Sequence, residues 1–535
     1  MGLLDEYIET DRFYKDRYGP ATALFLQCGD FFELYAISNA EETVGADIYR
    51  VGDVCNLQVT RKNKAILENH RGNPLMAGFP LHALQKHAGA LLAQDYTIVV
   101  MRQVTPPPNV TRKVTEILSP SMSATPATAE SQYLMVLFLG AAGGGDPTSS
   151  AAGIAGVDVT TGHSFVQEIA PGTGLAGDEI LRAIQAWNPR EIAVYSEGAL
   201  PASARTATER LIAGACPGAA TCRHLRWTAY NGELSRLRMQ EAVLRRAYCA
   251  AGSATELLNL ERLDLARMAF VLLLEFAYEH NERVVQRLKP PQVLERENAL
   301  SLEYTSAIQL NLIGAGGATS GQGAGLVGLL NRCATAFGRR LFRERLLNPI
   351  RDAAQLNARY DAIAEKIAQG PAAVAAIGKT LSQMMDAERM SRRIQLGTFP
   401  PCDWCNLQAT LDAAAALPPG AAGGPLRAER IAAVRAEYAD RLLIDECSKY
   451  LASDIRANIF APGAYPELDA LQAKLAERQA FLASECDRLP GAKLDCNERD
   501  GYYLSVTRRR WEAIAAAAMA AHWLLRWRHG PAGAD

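Results

Sequence analysis

Little in this 535-residue sequence is extreme. Its strongest apolar run, Met268-Ala269-Phe270-Val271-Leu272-Leu273-Leu274, falls far short of the ~20 residues a membrane-spanning helix needs, so no membrane association is expected. Charge is nearly balanced, 56 Lys and Arg against 58 Asp and Glu, which excludes the overall basic footprint of many nucleic-acid binders. Any phosphate contact must come from local patches. The first residues are acidic, with neither an apolar stretch nor an Arg/Ser-rich leader behind them, so no secretory signal or transit peptide is expected. Eleven cysteines without regular spacing argue for a reducing, intracellular compartment, leaving cytoplasm, nucleus and organelle open.

Two motifs are present only in part. Cys402-Asp-Trp-Cys405 has the spacing of a redox dithiol or of half a zinc site. Pro400-Pro401 stand where a strand should precede it, and no second Cys-x-x-Cys exists, so two ordinary cysteines are the better reading. Gly378-Lys379-Thr380 lacks the glycine a phosphate-binding loop needs five residues earlier, where Ala373 stands, and it follows a helix-forming stretch. The glycine-rich residues 314–325 form an expected loop with no lysine after them. No catalytic residue, metal ligand set or nucleotide site is expected, hence no cofactor in this chain.

What is present starts at residues 28–35, Cys-Gly-Asp-Phe-Phe-Glu-Leu-Tyr. A strand-like run, Ala23-Leu24-Phe25-Leu26, leads into the turn pair Gly29-Asp30. In an extended segment Phe31 and Glu33 share one side and Phe32 and Leu34 the other. An aromatic beside an acceptor suits an unstacked base, the ring wedging into a base step and the carboxylate bonding a base edge. A buried Phe pair with a solvated Glu is the competing reading. Two basic loops could hold phosphates or simply be solvated. Residues 50–71 carry Arg50, Arg61, Lys62, Lys64 and Arg71 against Asp53 and Glu68, and residues 102–113 carry Arg102, Arg112 and Lys113 around three prolines.

The chain length suggests about three to five domains. Residues 1–120 mix short strands and helices, and residues 119–129 read as a linker rich in Ser, Pro, Ala and Thr. Residues 130–232 read as a small α/β domain, opening on the apolar strand Tyr133-Leu134-Met135-Val136-Leu137-Phe138-Leu139. Asp158 within it is either a structural turn residue or a nuclease carboxylate. Residues 236–462 are helical, with Leu263, Ala266, Phe270, Leu273, Leu274 and Ala277 on one face and Thr335 capping a helix that Pro349 ends. Residues 463–514 hold a helix with Leu468, Leu471, Leu475 and Leu482 at coiled-coil spacing, then a strand running into Arg508, Arg509 and Arg510, a candidate patch for the DNA backbone. The Ala-rich residues 515–535 are atypical of what precedes them.

In order along the chain these pieces resemble the MutS family of DNA mismatch-recognition proteins. Gly29-Asp30-Phe31-Phe32-Glu33-Leu34 is similar to its mismatch-reading motif, Val59-Thr60-Arg61-Lys62 to its Thr/Arg turn, and Met76-Ala77-Gly78-Phe79-Pro80 to the turn that follows. Gly156-Val157-Asp158 with Thr161-Gly162 resembles the connector, and Thr335-Ala336-Phe337-Gly338-Arg339-Arg340-Leu341 and Asp386-Ala387-Glu388-Arg389-Met390 resemble the helical core. Pro462-Gly463 to Asp469 and Gly501-Tyr502-Tyr503 resemble the start of the clamp, and the proline loop before Glu116 resembles the subgroup of large viruses and some organelles.

The resemblance implies a multidomain α/β plus mostly α fold: a mixed α/β recognition domain, a small RNase H-like connector, a long-helix core and the start of a clamp. It implies that Phe31 wedges at a mispaired base from the minor groove of bent DNA while Glu33 bonds that base. Arg61, Lys62 and Lys64, with the three arginines at 508–510, are then candidates for holding the backbone. The partner implied is double-stranded DNA with mispairs or small loops. ATP and Mg²⁺, and a homodimer, are implied for the full-length family. This chain stops before that family's ATPase domain, so a truncated chain without ATP hydrolysis is expected. Two other readings stand beside it: an inert or scaffold fragment, from the Ala-rich helical half, and a metal-dependent nuclease-like protein, from Asp158.

Overall fold

The computed structural model describes residues 2–105, 110–122, 130–140, 151–169, 176–215, 224–228, 230–249, 252–294, 300, 304–312, 325–418, 428–451, 455, 457–487, 492–497, 501–507 and 510. They divide into two compact units, residues 1–431 with 448–456, and residues 432–447 with 457–535.

The first unit opens on α1 (Leu3–Tyr18), whose Asp5 and Glu6 in the first turn and Lys15 and Arg17 in the last complement the helix dipole. A mixed seven-stranded sheet follows: β1 (Thr22–Cys28), β2 (Phe31–Ser38), β3 (Thr43–Gly45), α2 (Ile48–Cys55), β4 (Thr60–Arg61), β5 (Leu75–Pro80), α3 (Leu84–Leu92), β6 (Thr97–Gln103) and β7 (Arg112–Leu118). The strand order is β4-β5-β2-β1-β6-β7, with β3 also on β2. Only β1 and β6 run parallel. Alternation sorts the side chains of β2: Phe32, Leu34 and Ala36 join the core with α2 and α3, and Tyr35 and Ile37 join the core with Tyr7 and Ile8 of α1.

A second sheet holds β8 (Tyr133–Leu139), β9 (Ala152–Asp158), β10 (His163–Ile169), β11 (Glu191–Ser196) and β12 (His224–Trp227), with α4 (Ala176–Trp187) and α5 (Ala202–Ala215) between strands. Its order, β12-β11-β8-β9-β10, has three antiparallel strands followed by a parallel pair, the RNase H-like arrangement expected of the connector. β8 is buried along its whole length, because hydrophobic cores lie on both faces of the sheet. Asp158 is a turn residue at the β9–β10 corner, accepting hydrogen bonds from the Thr160 backbone N–H (2.9 Å) and hydroxyl (2.6 Å).

The expected linker and the expected boundary near 232–236 both carry packed residues. Ser119 and Ser121, read as linker, are buried and donate to the Glu191 carboxylate at 2.7 and 2.6 Å, so the linker's first residues are docked; 123–129 lie outside the described residues. The boundary expected near 232–236 runs through a shared core. α6 (Leu237–Tyr248), α7 (Ala254–Leu257) and α8 (Asp264–His280) follow it, and α6 and α8 pack on the connector strands. α8 is buried around most of its circumference, in keeping with the unbroken apolar run 268–274. The short β13 (Gln292–Val293) then adds in parallel to the edge strand β10.

Beyond it come α9 (Tyr304–Gln309), α10 (Gly325–Leu330), α11 (Ala336–Leu347), α12 (Ala353–Ala368), α13 (Pro371–Leu381), α14 (Ala387–Leu396), α15 (Pro401–Ala415) and α16 (Ala428–Ala439). Thr335 caps α11, its hydroxyl accepting from the Gly338 N–H at 3.1 Å. Gly378-Lys379-Thr380 lies in the last turn of α13, and Cys402 and Cys405 lie one turn apart at the start of α15. Residues 314–324 of the glycine-rich loop lie outside the described residues. Two arginines of α14 latch this helical part to the connector. Arg392 is 1% exposed and donates to the carbonyls of Val159 (3.3 Å), Gln286 (2.8 Å) and Val284 (2.5 Å); Arg389 donates to the Thr160 hydroxyl at 3.1 Å.

The second unit contains α17 (Ile444–Cys447), α18 (Pro466–Asp487) and the hairpin of β14 (Lys493–Asn497) with β15 (Gly501–Ser505). Leu471 and Leu475 of the expected coiled-coil seam are exposed.

Candidate nucleic-acid interface

The β1–β2 hairpin puts Phe31 where a ring can be presented. Cys28 pairs with Phe31 across a two-residue turn, and Gly29 takes φ +59° at its first position, a conformation glycine holds without strain. The Leu81 N–H, just past the end of β5, bonds the Asp30 carbonyl at 3.0 Å and ties the turn down. The two phenylalanines part company at this point. Phe31 is 48% exposed, whereas Phe32 is fully buried against Phe25 and Phe79, with ring centroids 6.3 and 5.8 Å away. Phe31 is thus the exposed ring of the pair and Phe32 the buried one.

Glu33 lies two residues along, on the same face as Phe31, and is half-buried. Its register partner on β5 is Gly78, which is exposed and leaves open floor beside the carboxylate; a Cβ there would sit 3.0 Å from the Phe32 carbonyl and 3.4 Å from Glu33 Cγ. The Tyr35 hydroxyl donates to Glu33 Oε2. The Cys28 thiol lies against the same carboxylate: burial, then the Glu33 charge, push it up to about 11. Burial and Glu33 likewise hold the Tyr35 phenol well above its ordinary range, so it stays a proton donor. Arg112 reaches this neighbourhood from β7, its Nε donating to the Gln27 carbonyl at 3.1 Å and its guanidinium 3.8 Å from Glu6. The result is an open patch with a projecting ring, a hydrogen-bonded carboxylate and one cation.

The basic loop after β4 is elsewhere. Arg61 pairs with Leu75, which pairs with Ala36, five residues up β2 from Phe31 or ~16 Å along the strand. Arg61 donates to the Leu67 carbonyl at 2.7 Å, while Lys62 and Lys64 are exposed on a loop gathered around the buried Asn73 side chain. Phe31 and Glu33 are thus brought together, and Arg61, Lys62 and Lys64 are not brought to them. Arg510 is exposed in the second unit; Arg508 and Arg509 lie outside the described residues. The cations on Phe31's end of the sheet are instead Arg102, Arg112 and Lys113, since β6 runs parallel to β1 and β7 returns from that end. Arg102 lies over the Phe32 ring at 5.3 Å and pairs with Glu116, and Lys113 is exposed. Gly78 and Tyr35 went unmarked as site residues in the sequence, and Arg112 was marked only within a basic loop; period-2 alternation from Glu33 would have placed Tyr35, whereas bringing Arg112 beside Glu33 needed the strand order.

Residues 11–125 match the family model for MutS domain I and residues 301–481 that for MutS domain III. The chain is 27% identical to DNA mismatch repair protein MutS 1 of Halobacterium salinarum, an alignment spanning 96% of this chain and 56% of that protein. It is 28% identical to DNA mismatch repair protein MutS of an Anaeromyxobacter species (96% and 54%) and 21% identical to a putative mutS homolog of Acanthamoeba polyphaga mimivirus (94% and 49%). With the mixed recognition sheet, the RNase H-like connector and the helical core in this order, the chain belongs to the MutS family. It spans about half the length of the curated relatives it matches. No helix among the described residues is long and apolar enough to cross a membrane.

Proposed function

We propose that this chain binds double-stranded DNA and reads mispaired bases through Phe31 and Glu33, a role in DNA mismatch repair. The observation that carries the reading is the exposed Phe31 ring beside a half-buried carboxylate, on a patch kept open by Gly78. Phe31 enters the minor groove and wedges into the base step, kinking the duplex there. A mispaired base costs less to unstack than a matched one, so the same wedge discriminates through deformability. Glu33 then hydrogen-bonds the displaced base, and a small unpaired loop offers a base in the same way. Arg112 and Lys113 supply phosphate contacts at that end of the sheet, with Lys62 and Lys64 as contacts further along it; Arg510, in the second unit, is a separate candidate for the backbone. No step calls on a nucleotide or a metal ion. The scattered cysteines suit a reducing intracellular compartment.

The test is competition binding by fluorescence anisotropy, with matched duplexes and duplexes carrying one mispair or one extra base. A preference for the imperfect duplexes that Phe31→Ala removes supports the reading; equal affinity for all duplexes contradicts it.

A further inference from the structure

We propose that Tyr35 is a positioning residue for base reading, its hydroxyl aiming the Glu33 carboxylate before DNA arrives; this rests on the reading of Phe31 and Glu33 as the mismatch reader. Tyr35 sits two residues beyond Glu33 on β2, so both side chains rise from one face. Its ring is 4% exposed and held edge-on against Tyr7, centroids 5.4 Å apart. Tyr7 is anchored in turn by its own hydroxyl on the Leu24 carbonyl at 3.0 Å. The Tyr35 hydroxyl thus projects from a fixed point in the core toward the open patch, where it donates to Glu33 Oε2.

A glutamate side chain has several rotatable bonds, and freezing them on a ligand costs entropy. Tyr35 removes much of that cost in the free protein, by the same logic that makes any preorganised binder tighter. With Tyr35 on one lone pair and the Cys28 thiol beside the same carboxylate, Glu33 keeps further lone pairs to accept from a base. Because burial and Glu33 keep the phenol protonated, Tyr35 stays a donor to the Glu33 carboxylate. Tyr35 touches no DNA in this scheme and acts only through Glu33.

The experiment is a double-mutant cycle on the full chain, reading mismatch-over-matched preference with Tyr35→Phe, Glu33→Ala and the pair. Tyr35→Phe keeps the ring and its packing on Tyr7, and thermal unfolding checks that the fold is intact. The expected result is a preference lowered ~3- to 10-fold by Tyr35→Phe, the effect of one hydrogen bond, with matched-duplex affinity unchanged. In the Glu33→Ala background Tyr35→Phe should change nothing further, whereas in Glu33→Gln, whose amide oxygen still accepts, it should still lower the preference. A merely structural tyrosine would subtract equally in every background, and that result overturns the proposal. So does a Tyr35→Phe protein with wild-type preference while Glu33→Ala has lost it, a result that leaves the reader itself standing. If the unaltered chain shows no preference and Phe31→Ala is equally silent, the reading falls and Tyr35's role falls with it.

Discussion

Replacing each of two adjacent phenylalanines by alanine should give opposite phenotypes. Phe31→Ala removes a ring that is 48% exposed, so little core is lost. A fully buried Phe→Ala change costs ~3–5 kcal/mol, and a half-exposed ring at a strand end should cost ~1 kcal/mol. What Phe31→Ala does remove is stacking on a base, ~1–3 kcal/mol, or about 5- to 150-fold in mismatch affinity. The ring carries no charge, so matched-duplex affinity and its salt slope should stay as they were. Phe32→Ala deletes a ring with no exposed surface from between Phe25 and Phe79 and should lose the ~3–5 kcal/mol of a core cavity, lowering the thermal midpoint sharply. Anisotropy titrations on matched and mispaired duplexes, with calorimetric unfolding of each variant, separate the two. A Phe31→Ala protein that keeps its mismatch preference, or one that unfolds as badly as Phe32→Ala, would refute the assignment of one ring to DNA and the other to the core.

Gly78→Val should crowd Glu33 from its register partner and lower mismatch preference several-fold while sparing matched binding, as checked in the same titrations. Lys113→Ala should weaken binding to all duplexes alike and reduce the slope of log affinity against log salt by ~1. Arg392→Ala should cost ~3 kcal/mol in denaturant unfolding, because it empties a buried site and strands the carbonyls of Val159, Val284 and Gln286. Glu241 gives a pH signature: partial burial raises its pKa, but bonds from the Thr255 hydroxyl and the Ala254 and Thr255 N–H groups, with Arg245, take it down to about 2. Its folded pKa lies below the ordinary 4.5, so its contribution is full above pH ~4.5 and is lost as pH falls toward 2. Glu241→Gln should flatten acid unfolding over that window.

The sequence reads clearly where a local rule acts alone. Gly29-Asp30 forms its turn, Phe31 and Phe32 take opposite sides, and Thr335 caps α11, because a turn, a two-residue period and a cap each need only neighbours along the chain. Long-range packing is what stayed hidden. β13 joins a sheet from more than a hundred residues away, and the apolar run of α8 announces burial but not that the connector sheet is what buries it. The candidate site shows the same limit. Phe31 and Glu33 are set by alternation, but the cations beside them depend on β6 and β7 lying next to β1. That order brings Arg112 close and leaves Lys62 and Lys64 at the far end of the sheet.

Photocrosslinking tests the central claim most directly. A duplex carrying 5-iodouracil at a mispaired position is irradiated with the full chain, and the crosslinked peptide is identified by mass spectrometry. The account predicts a crosslink at Phe31 that appears with the mispair, weakens with the matched duplex and disappears in Phe31→Ala. A crosslink that is equally strong on matched DNA, or that maps away from residues 28–35 altogether, would contradict it.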